Sequence, residues 1–191
     1  MDIQQIRLIL RYGRYAEPWR RYHIWKHVEL MLDELQEAQH LVSGFDRELI
    51  KLAILFHDSV YEPTAHNNEE RSAQLAESML APTLSLAAVD EVIRLILLTK
   101  KHQPQDGDLN GQIICDCDLA VLGWPWDDFE EFGQQIREEY IFVDDQTFRT
   151  HRRQFMRAFL ARPRIFNLEH FRQKYEAQAR NNLQHTIALL S

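Results

Sequence analysis

The pattern of apolar and polar positions along the chain predicts helices from end to end. Alternating runs, which are typical of strands, are nearly absent, and only six glycines and six prolines interrupt the 191 residues. Pro18 suits the first turn of a helix that carries apolar residues from Ile24 to Leu35, and Gly44 closes that segment. The pattern predicts an all-α fold.

Residues 49–56 are apolar on every face, which predicts a central helix covered on all sides. Further helices are expected at 69–80, 89–101, 113–123, 127–140 and 146–161 and in the tail after Arg162-Pro163, with loops at 59–68 and 103–111. No repeat, low-complexity tract or linker is visible, so we predict one domain over residues 1–191, with a hydrophobic content of 45% that can bury a sizeable core.

Charge and hydropathy narrow the classes of function. A net charge of -7 argues against a general binder of nucleic-acid polymers, because phosphate backbones need a basic surface, but it allows a local basic pocket. Arg7 and Arg11 interrupt the first apolar run, and no stretch approaches the roughly 20 apolar residues of a membrane span. We therefore expect a cytoplasmic protein without a membrane partner.

Cys115 and Cys117 are too close together for a disulfide framework and do not form a CxxC pair. Reduced, buried thiols are the expected state, and metal ligation is the alternative. Under neither interpretation are the two cysteines the main candidates for catalytic or metal-binding residues.

The chemistry points instead to His57-Asp58, which follows the apolar run Leu52–Phe56. Buried polar groups cost free energy unless something pairs with them, and imidazole and carboxylate together suit a divalent metal. On a helix the two neighbours would point about 100° apart, but a metal beyond the helix end can reach both. Histidines at 23 and 27 share one helical face by spacing, and of Asp116 and Asp118 only one is expected to face the site. Asp116 could instead be a helix N-cap.

The order His27, His57-Asp58, Asp118 resembles that of the HD-domain superfamily of metal-dependent phosphohydrolases. The segment YHIWKH is similar to their Tyr-His-x-x-x-His element. The segment HDSVYEPTAHNNEERSA resembles the corresponding segment of a bacterial subgroup of predicted phosphohydrolases, and the resemblance extends over most of the chain. The resemblance implies a helical HD-like fold, with a metal on His27, His57, Asp58 and Asp118 and with His23 near the chemistry.

Related enzymes with two metals add histidines after the HD pair. His102 could be one of them, whereas His66 lies in a presumed loop and fits the spacing poorly. By helical phase, His102 shares a face with Leu95 and Thr99, and the alternative is a histidine facing the negative end of the helix dipole.

Glu69 shares a helical face with Ala73, Ala76 and Leu80, whereas Glu70 points away. An inward glutamate here could be a general base or a second-metal ligand; the alternative is a carboxylate favoured at the helix N-terminus.

Arg152 lies by phase within a stripe of Phe148, Phe155 and Phe159 and offers a bidentate fork to an oxyanion, although a structural ion pair is equally open. The row of Arg149, Arg153 and Arg157 is more typical of a solvated face. Three aromatic residues could stack on a base, but near the first helix such residues are more often core: Trp19, Trp25 and Tyr61.

These observations and the resemblance predict a phosphohydrolase that acts on a small phosphorylated substrate, a phosphate monoester or nucleotide. The expected cofactor is a divalent ion (Mn, Fe, Co, Ni, Zn or Mg) that acidifies a water. Asp58 or Glu69 is expected to orient the nucleophile, His23 to donate a proton, and Lys100, His102 and Arg152 to contact the substrate.

Two other classes of function stay open. A di-iron oxygenase of the same fold would need two metals and more inward histidines than the sequence offers. A non-catalytic sensor of nucleotide or metal would not need to keep all four ligand residues. The oligomeric state is not predicted.

Overall fold

The computed structural model describes residues 3–190, and within that range it is helical and contains no strand. The prediction of an all-α fold is confirmed. The chain divides into two compact units; the first ends at Asp118 and the second begins at Leu119. The prediction of a single domain over residues 1–191 stays a prediction, and the two units are described separately.

The first unit is built around its third helix. Its elements are α1 (Ile3–Ile9) with a π-helical continuation (Leu10–Arg14), α2 (Trp25–Ala38), α3 (Arg47–Phe56), α4 (Asn68–Leu80), α5 (Leu86–Thr99) and α6 (Leu109–Leu119). The last residue of α6, Leu119, already belongs to the second unit. Helix α3 packs against α2, α4 and α5, and Ile50 and every residue from Leu52 to Phe56 are buried. The predicted central helix is therefore confirmed.

The prediction of a helix beginning at Pro18 is wrong, because α2 begins only at Trp25. Ile24 is extended (φ -109°, ψ 175°), and the carbonyl of His23 accepts a hydrogen bond from the buried Arg20 guanidinium at 2.8 Å. A side chain three residues earlier thus takes the carbonyl that a continued helix would have used. His23 and His27 consequently do not share the face of one helix.

Helix α5 also ends earlier than predicted, at Thr99. His102 lies beyond it with φ at 49°, in the left-handed region, and its N–H donates to the Leu98 carbonyl at 2.9 Å. The shared helical face expected for Leu95, Thr99 and His102 is therefore wrong, because the chain has already turned at His102.

Asp116 lies inside α6 and is completely buried, so the alternative of an N-cap at this position is wrong. The helix begins after Asp108, whose Oδ1 accepts from the Gly111 N–H at 3.0 Å, as an N-cap side chain does. This cap fixes the start of the helix that carries Asp118.

The second unit begins with a 3₁₀ turn (Ala120–Gly123) and contains α7 (Trp126–Glu139), α8 (Asp145–Leu160) and α9 (Glu169–Phe171), which continues through a π-helical stretch (Arg172–Glu176) into α10 (Ala177–Leu189). Helix α8 packs on α10. Asn182 donates to the carbonyls of Leu122 and Trp124 at 2.9 and 2.8 Å, which ties α10 to the 3₁₀ turn. Among residues 3–190, no helix is long and apolar enough to cross a membrane.

Candidate metal centre

Three side chains of the first unit converge at the ends of three helices. His27 lies in the first turn of α2, His57 directly follows α3, and Asp118 lies near the end of α6. His27 Nε2 is 3.0 Å from Asp118 Oδ1 and 3.2 Å from His57 Nε2, and His57 Nε2 is 3.9 Å from the same Oδ1. One ligand atom from each residue lies within 4.8 Å of the others. This group could hold a metal ion.

The spacing of these atoms suits a single ion. Ligand atoms bound at 2.0–2.2 Å around a tetrahedral metal lie about 3.4 Å from each other, and the three separations here run from 3.0 to 3.9 Å. Both imidazoles are buried, whereas 15% of the Asp118 side chain is exposed. Two nitrogens and one oxygen are donors that transition metals such as Zn, Mn, Fe, Co and Ni accept.

A backbone contact sets the orientation of the His57 ring. Its Nδ1 is 2.8 Å from the carbonyl of Ile54, which can only accept, so Nδ1–H is the donor. In the neutral tautomer Nε2 then carries the lone pair, and Nε2 is the atom that faces His27 and Asp118. Such a fixed tautomer is usual for a histidine that binds metal.

Asp58 lies in the turn after His57, at the edge of the group. Its Oδ2 is 3.0 Å from His57 Nε2 and 4.0 Å from His27 Nε2, and 17% of its side chain is exposed. The structure therefore brings together the four residues that the resemblance implies, with Asp58 set slightly outside the three tightest donors.

His102 joins the group from the turn after α5. Its Nε2 is 2.7 Å from Asp118 Oδ2, while Asp118 Oδ1 faces His27. The sequence predicted His102 as a substrate contact or an added metal ligand. In the structure its Nε2 contacts a carboxylate of the metal group, and contact with a substrate stays a prediction.

Without a metal, the charges of the group compensate one another. Burial alone would lower the pKa of His57, but the Asp58 carboxylate outweighs it and raises that pKa to about 9. Burial opposes ionisation of both aspartates, yet His57 holds the pKa of Asp58 below its ordinary value, and His102 and His27 do the same for Asp118. Burial lowers the pKa of His27. A protonated His57 between two carboxylates occupies the place that a cation would take.

His23, Glu69 and Lys100 lie in the same unit. The His23 ring stacks on Tyr61, with centroids 3.9 Å apart and an interplanar angle of 23°. Lys100 Nζ lies 3.5 Å from Glu69 Oε2 and 2.6 Å from Glu70 Oε1, and it donates to the His66 carbonyl at 2.8 Å. The hydrogen bond to Glu70 raises the pKa of Lys100. Two carboxylates thus share this ammonium, and the phosphate contact expected of Lys100 stays a prediction.

Arg152 belongs to the second unit. Its guanidinium lies over the rings of Phe132 and Phe155, at 4.9 and 5.4 Å from their centroids. Of the predicted stripe only Phe155 is seen under Arg152, because Phe132 belongs to α7. The binding of Arg152 to a phosphate stays a prediction.

Both cysteines are free thiols and buried, as predicted, and neither belongs to the group of His27, His57 and Asp118.

The three aromatic residues that could stack on a base differ in burial. Trp25 and Tyr61 are buried core residues, whereas Trp19 is 44% exposed and donates its indole N–H to the Tyr61 carbonyl at 3.2 Å. The core interpretation is therefore right for two of the three aromatic residues.

The sequence interpretation did not single out Arg20. This side chain is buried and contacts the main chain of two candidate site residues, His23 and Asp58. No periodicity distinguishes Arg20 from the exposed Arg21 beside it. The one local sign is Glu17, three residues earlier, with which Arg20 pairs at 2.9 Å.

No protein-family model matches the chain, and neither the curated proteins nor the solved structures contain a match.

Proposed function

We propose that this protein is a metal-dependent phosphohydrolase that hydrolyses a phosphate monoester or nucleotide. The observation that carries the proposal is the buried group of His27, His57 and Asp118, with Asp58 at its edge. The donor types and spacing support a divalent metal, and the order of these residues along the chain resembles that of HD-domain phosphohydrolases.

Charge supports the same conclusion. Two carboxylates, Asp58 and Asp118, would balance the two charges of a divalent ion, and His57 would have to give up its proton to bind it, because a ligand nitrogen must be unprotonated. The ion would then replace a buried imidazolium, and its charge would equal that of the two carboxylates. His27 needs no such exchange, because burial already favours its neutral form.

A divalent ion in such a site would act as a Lewis acid and could lower the pKa of a bound water to about 7. The chain supplies the remaining functions. His27, His57, Asp118 and Asp58 would hold the ion, and Asp58, which is partly exposed, is also the group best placed to orient the attacking water. Hydrolysis adds the oxygen of water to phosphorus and breaks the bond to the leaving oxygen. That oxygen takes up a proton, for which His23 is the candidate donor.

The test is a screen of phosphorylated metabolites with Mn, Co, Ni, Mg and Zn added separately to chelator-treated protein. We expect release of inorganic phosphate or cleavage of a phosphodiester with at least one of these ions. His57→Ala and Asp58→Ala should lose both the bound metal and the turnover. His66→Ala is the matched control, because it removes an exposed histidine near the site and leaves the backbone carbonyl that Lys100 uses.

Three outcomes would contradict the proposal. Equal metal content in the wild type and in both site variants would refute the metal centre. Iron with oxygen-dependent turnover would indicate an oxygenase of the same metal group. Nucleotide binding without turnover under every metal would indicate a sensor.

A further inference from the structure

Arg20 is a fully buried charged side chain beside the metal group. Its side chain has no exposed surface, and its Nε donates to Glu17 Oε2 at 2.9 Å. Nη1 donates to two carbonyls, those of His23 and Asp58, each at 2.8 Å, and Nη2 is 3.5 Å from the carbonyl of Ser59. One guanidinium thus joins the segment before α2 to the turn after α3.

Aromatic rings enclose the same guanidinium. Its carbon lies 5.2 Å from the ring centroid of Tyr15 and 5.4 Å from that of Tyr61, which is the ring on which His23 stacks. Tyr15 in turn donates its hydroxyl to the Leu55 carbonyl in α3 at 3.1 Å. The cation is therefore fixed from several sides, and contacts with aromatic faces favour a buried arginine.

Asp58 lies in the turn after α3, outside the regular helix, so its backbone carbonyl is held by a side chain. A partly buried carbonyl in a turn needs a donor, and loss of that donor costs free energy. We propose that Arg20 is a positioning residue: by holding the Asp58 and His23 carbonyls on one nitrogen, it keeps the Asp58 carboxylate beside His57. Its consequence for metal binding rests on the proposed function.

Lysine cannot replace arginine in this role. The planar guanidinium directs its N–H groups to Glu17 and to the carbonyls of Asp58 and His23 in fixed directions, whereas an ammonium is a single point at the end of a flexible chain. Arg20→Lys keeps the positive charge and removes the planar set of N–H donors. The variant therefore separates the effect of the contact's geometry from the effect of its charge.

The experiment compares chelator-treated full-length wild type, Arg20→Lys, Glu17→Gln and the core variant Val92→Ala. Val92 is fully buried in α5 and has no part in the metal group, so its variant controls for a loss of global stability. The dissociation constant for Co²⁺ is measured by competition with a chelator, together with the visible absorption spectrum of the bound Co²⁺.

We expect Arg20→Lys to bind Co²⁺ about 10–100-fold more weakly, the range typical of a lost contact behind the metal ligands, and with an altered spectrum. Glu17→Gln keeps an oxygen acceptor and both carbonyl contacts, so it should stay within about threefold of the wild type, as should Val92→Ala. Wild-type affinity and spectrum in Arg20→Lys would overturn the proposal, and so would an equal loss in Val92→Ala.

Amide hydrogen exchange distinguishes failure of this inference from failure of the proposed function. The amides of His57 and Ser59 are bonded within the turn, to the carbonyls of Ala53 and Phe56. If wild type takes up neither Co²⁺ nor any of the other four ions of the screen, the proposed function fails, and hydrogen exchange alone decides the positioning role. Faster exchange at these amides in Arg20→Lys than in Val92→Ala supports it, and equal exchange in the two variants refutes it.

Discussion

Asp118 divides its two oxygens between different partners. Oδ1 lies 3.0 Å from His27 Nε2, inside the metal group, and Oδ2 lies 2.7 Å from His102 Nε2. His102, bound to Oδ2, restricts the rotation of the Asp118 carboxylate and so directs Oδ1 toward the metal group. Contacts of this kind orient metal ligands in other proteins. Asp116, two residues earlier in α6, is buried, and the metal group does not include it.

Replacing each of these aspartates tests which of the two binds the metal. Asp118→Asn should lower metal affinity by at least tenfold, because the amide is neutral and a weaker donor. Asp116→Asn should keep the metal, although it changes a buried group of the same size. The measurement is metal content per chain after dialysis against a weak chelator. Loss of metal in Asp116→Asn with retention in Asp118→Asn would reverse the assignment.

Glu69 and Glu70 form a matched pair for a second test at the residue scale. Both lie near Lys100 Nζ, but the Glu69 side chain is 26% exposed and the Glu70 side chain 44% exposed. If Glu69 orients the nucleophile, Glu69→Gln should lower turnover by about 10²–10⁴ with the metal still bound. Glu70→Gln loses the stronger lysine contact and should leave turnover nearly unchanged. Equal turnover in the two variants would identify Glu69 as a structural carboxylate.

At the scale of elements, an ion-pair cluster links α5 to the start of α6. The Arg94 guanidinium binds Glu91 on its own helix, at 2.7 and 2.9 Å, and Asp108 before α6, at 2.7 and 3.0 Å. Asp108 is also the N-cap of α6, and Asn110 donates to Glu91 at 2.9 Å. One aspartate thus helps to place the helix that carries Asp118.

The cluster predicts a specific loss of stability in acid. Burial would raise the pKa of Asp108, but Arg94 and the Gly111 N–H lower it below its ordinary value near 4. A lowered carboxyl pKa contributes stability that is present above the unfolded-state pKa and is lost as the pH falls through the folded-state pKa. Asp108→Asn keeps an oxygen for the cap and removes the charge that pairs with Arg94, so it should cost up to about 1 kcal/mol at pH 6, the range of a single ion pair.

Below pH 4 the difference between Asp108→Asn and the wild type should shrink. Urea unfolding at pH 6 and pH 3 measures it, with Asp90→Asn on the exposed face of α5 as the control. A difference that does not change with pH would show that the Asp108 charge contributes nothing to the cluster.

At the scale of the whole molecule, the metal group connects segments that are distant in sequence. His27, His57 and Asp118 come from α2, the end of α3 and α6, so an ion bound to all three would cross-link most of the first unit. An ion that binds the folded chain and not the unfolded chain adds stability in proportion to the logarithm of its concentration.

Metal should therefore raise the melting temperature of chelator-treated protein. At a free ion concentration of 100 times the dissociation constant, the gain is about 2.7 kcal/mol. For a chain of this length, that corresponds to roughly 5–10 °C. Scanning calorimetry with and without the ion measures the shift, and His57→Ala should show none. A shift of equal size in that variant would place the stabilising ion elsewhere.

The sequence alone determined the helical class, the central helix α3 and the residues that could bind a metal. Apolar periodicity was sufficient for the class, because a helix buries its apolar stripe whatever it packs against. The same pattern placed α4, α7 and α8 within about one residue of their bounds. The HD pair stood out because polar residues directly after an apolar run need partners.

The tertiary structure decided where the helices end and which atoms meet. The predicted helices continue through Pro18 and through Lys101, but α2 begins only at Trp25 and α5 ends at Thr99, where the chain turns at His102. Arg20 shows most clearly what the sequence does not encode, because one of its N–H groups donates to the carbonyl of Asp58, 38 residues away. No local pattern predicts a bond across that distance, because it exists only after the segment before α2 has packed against the turn after α3.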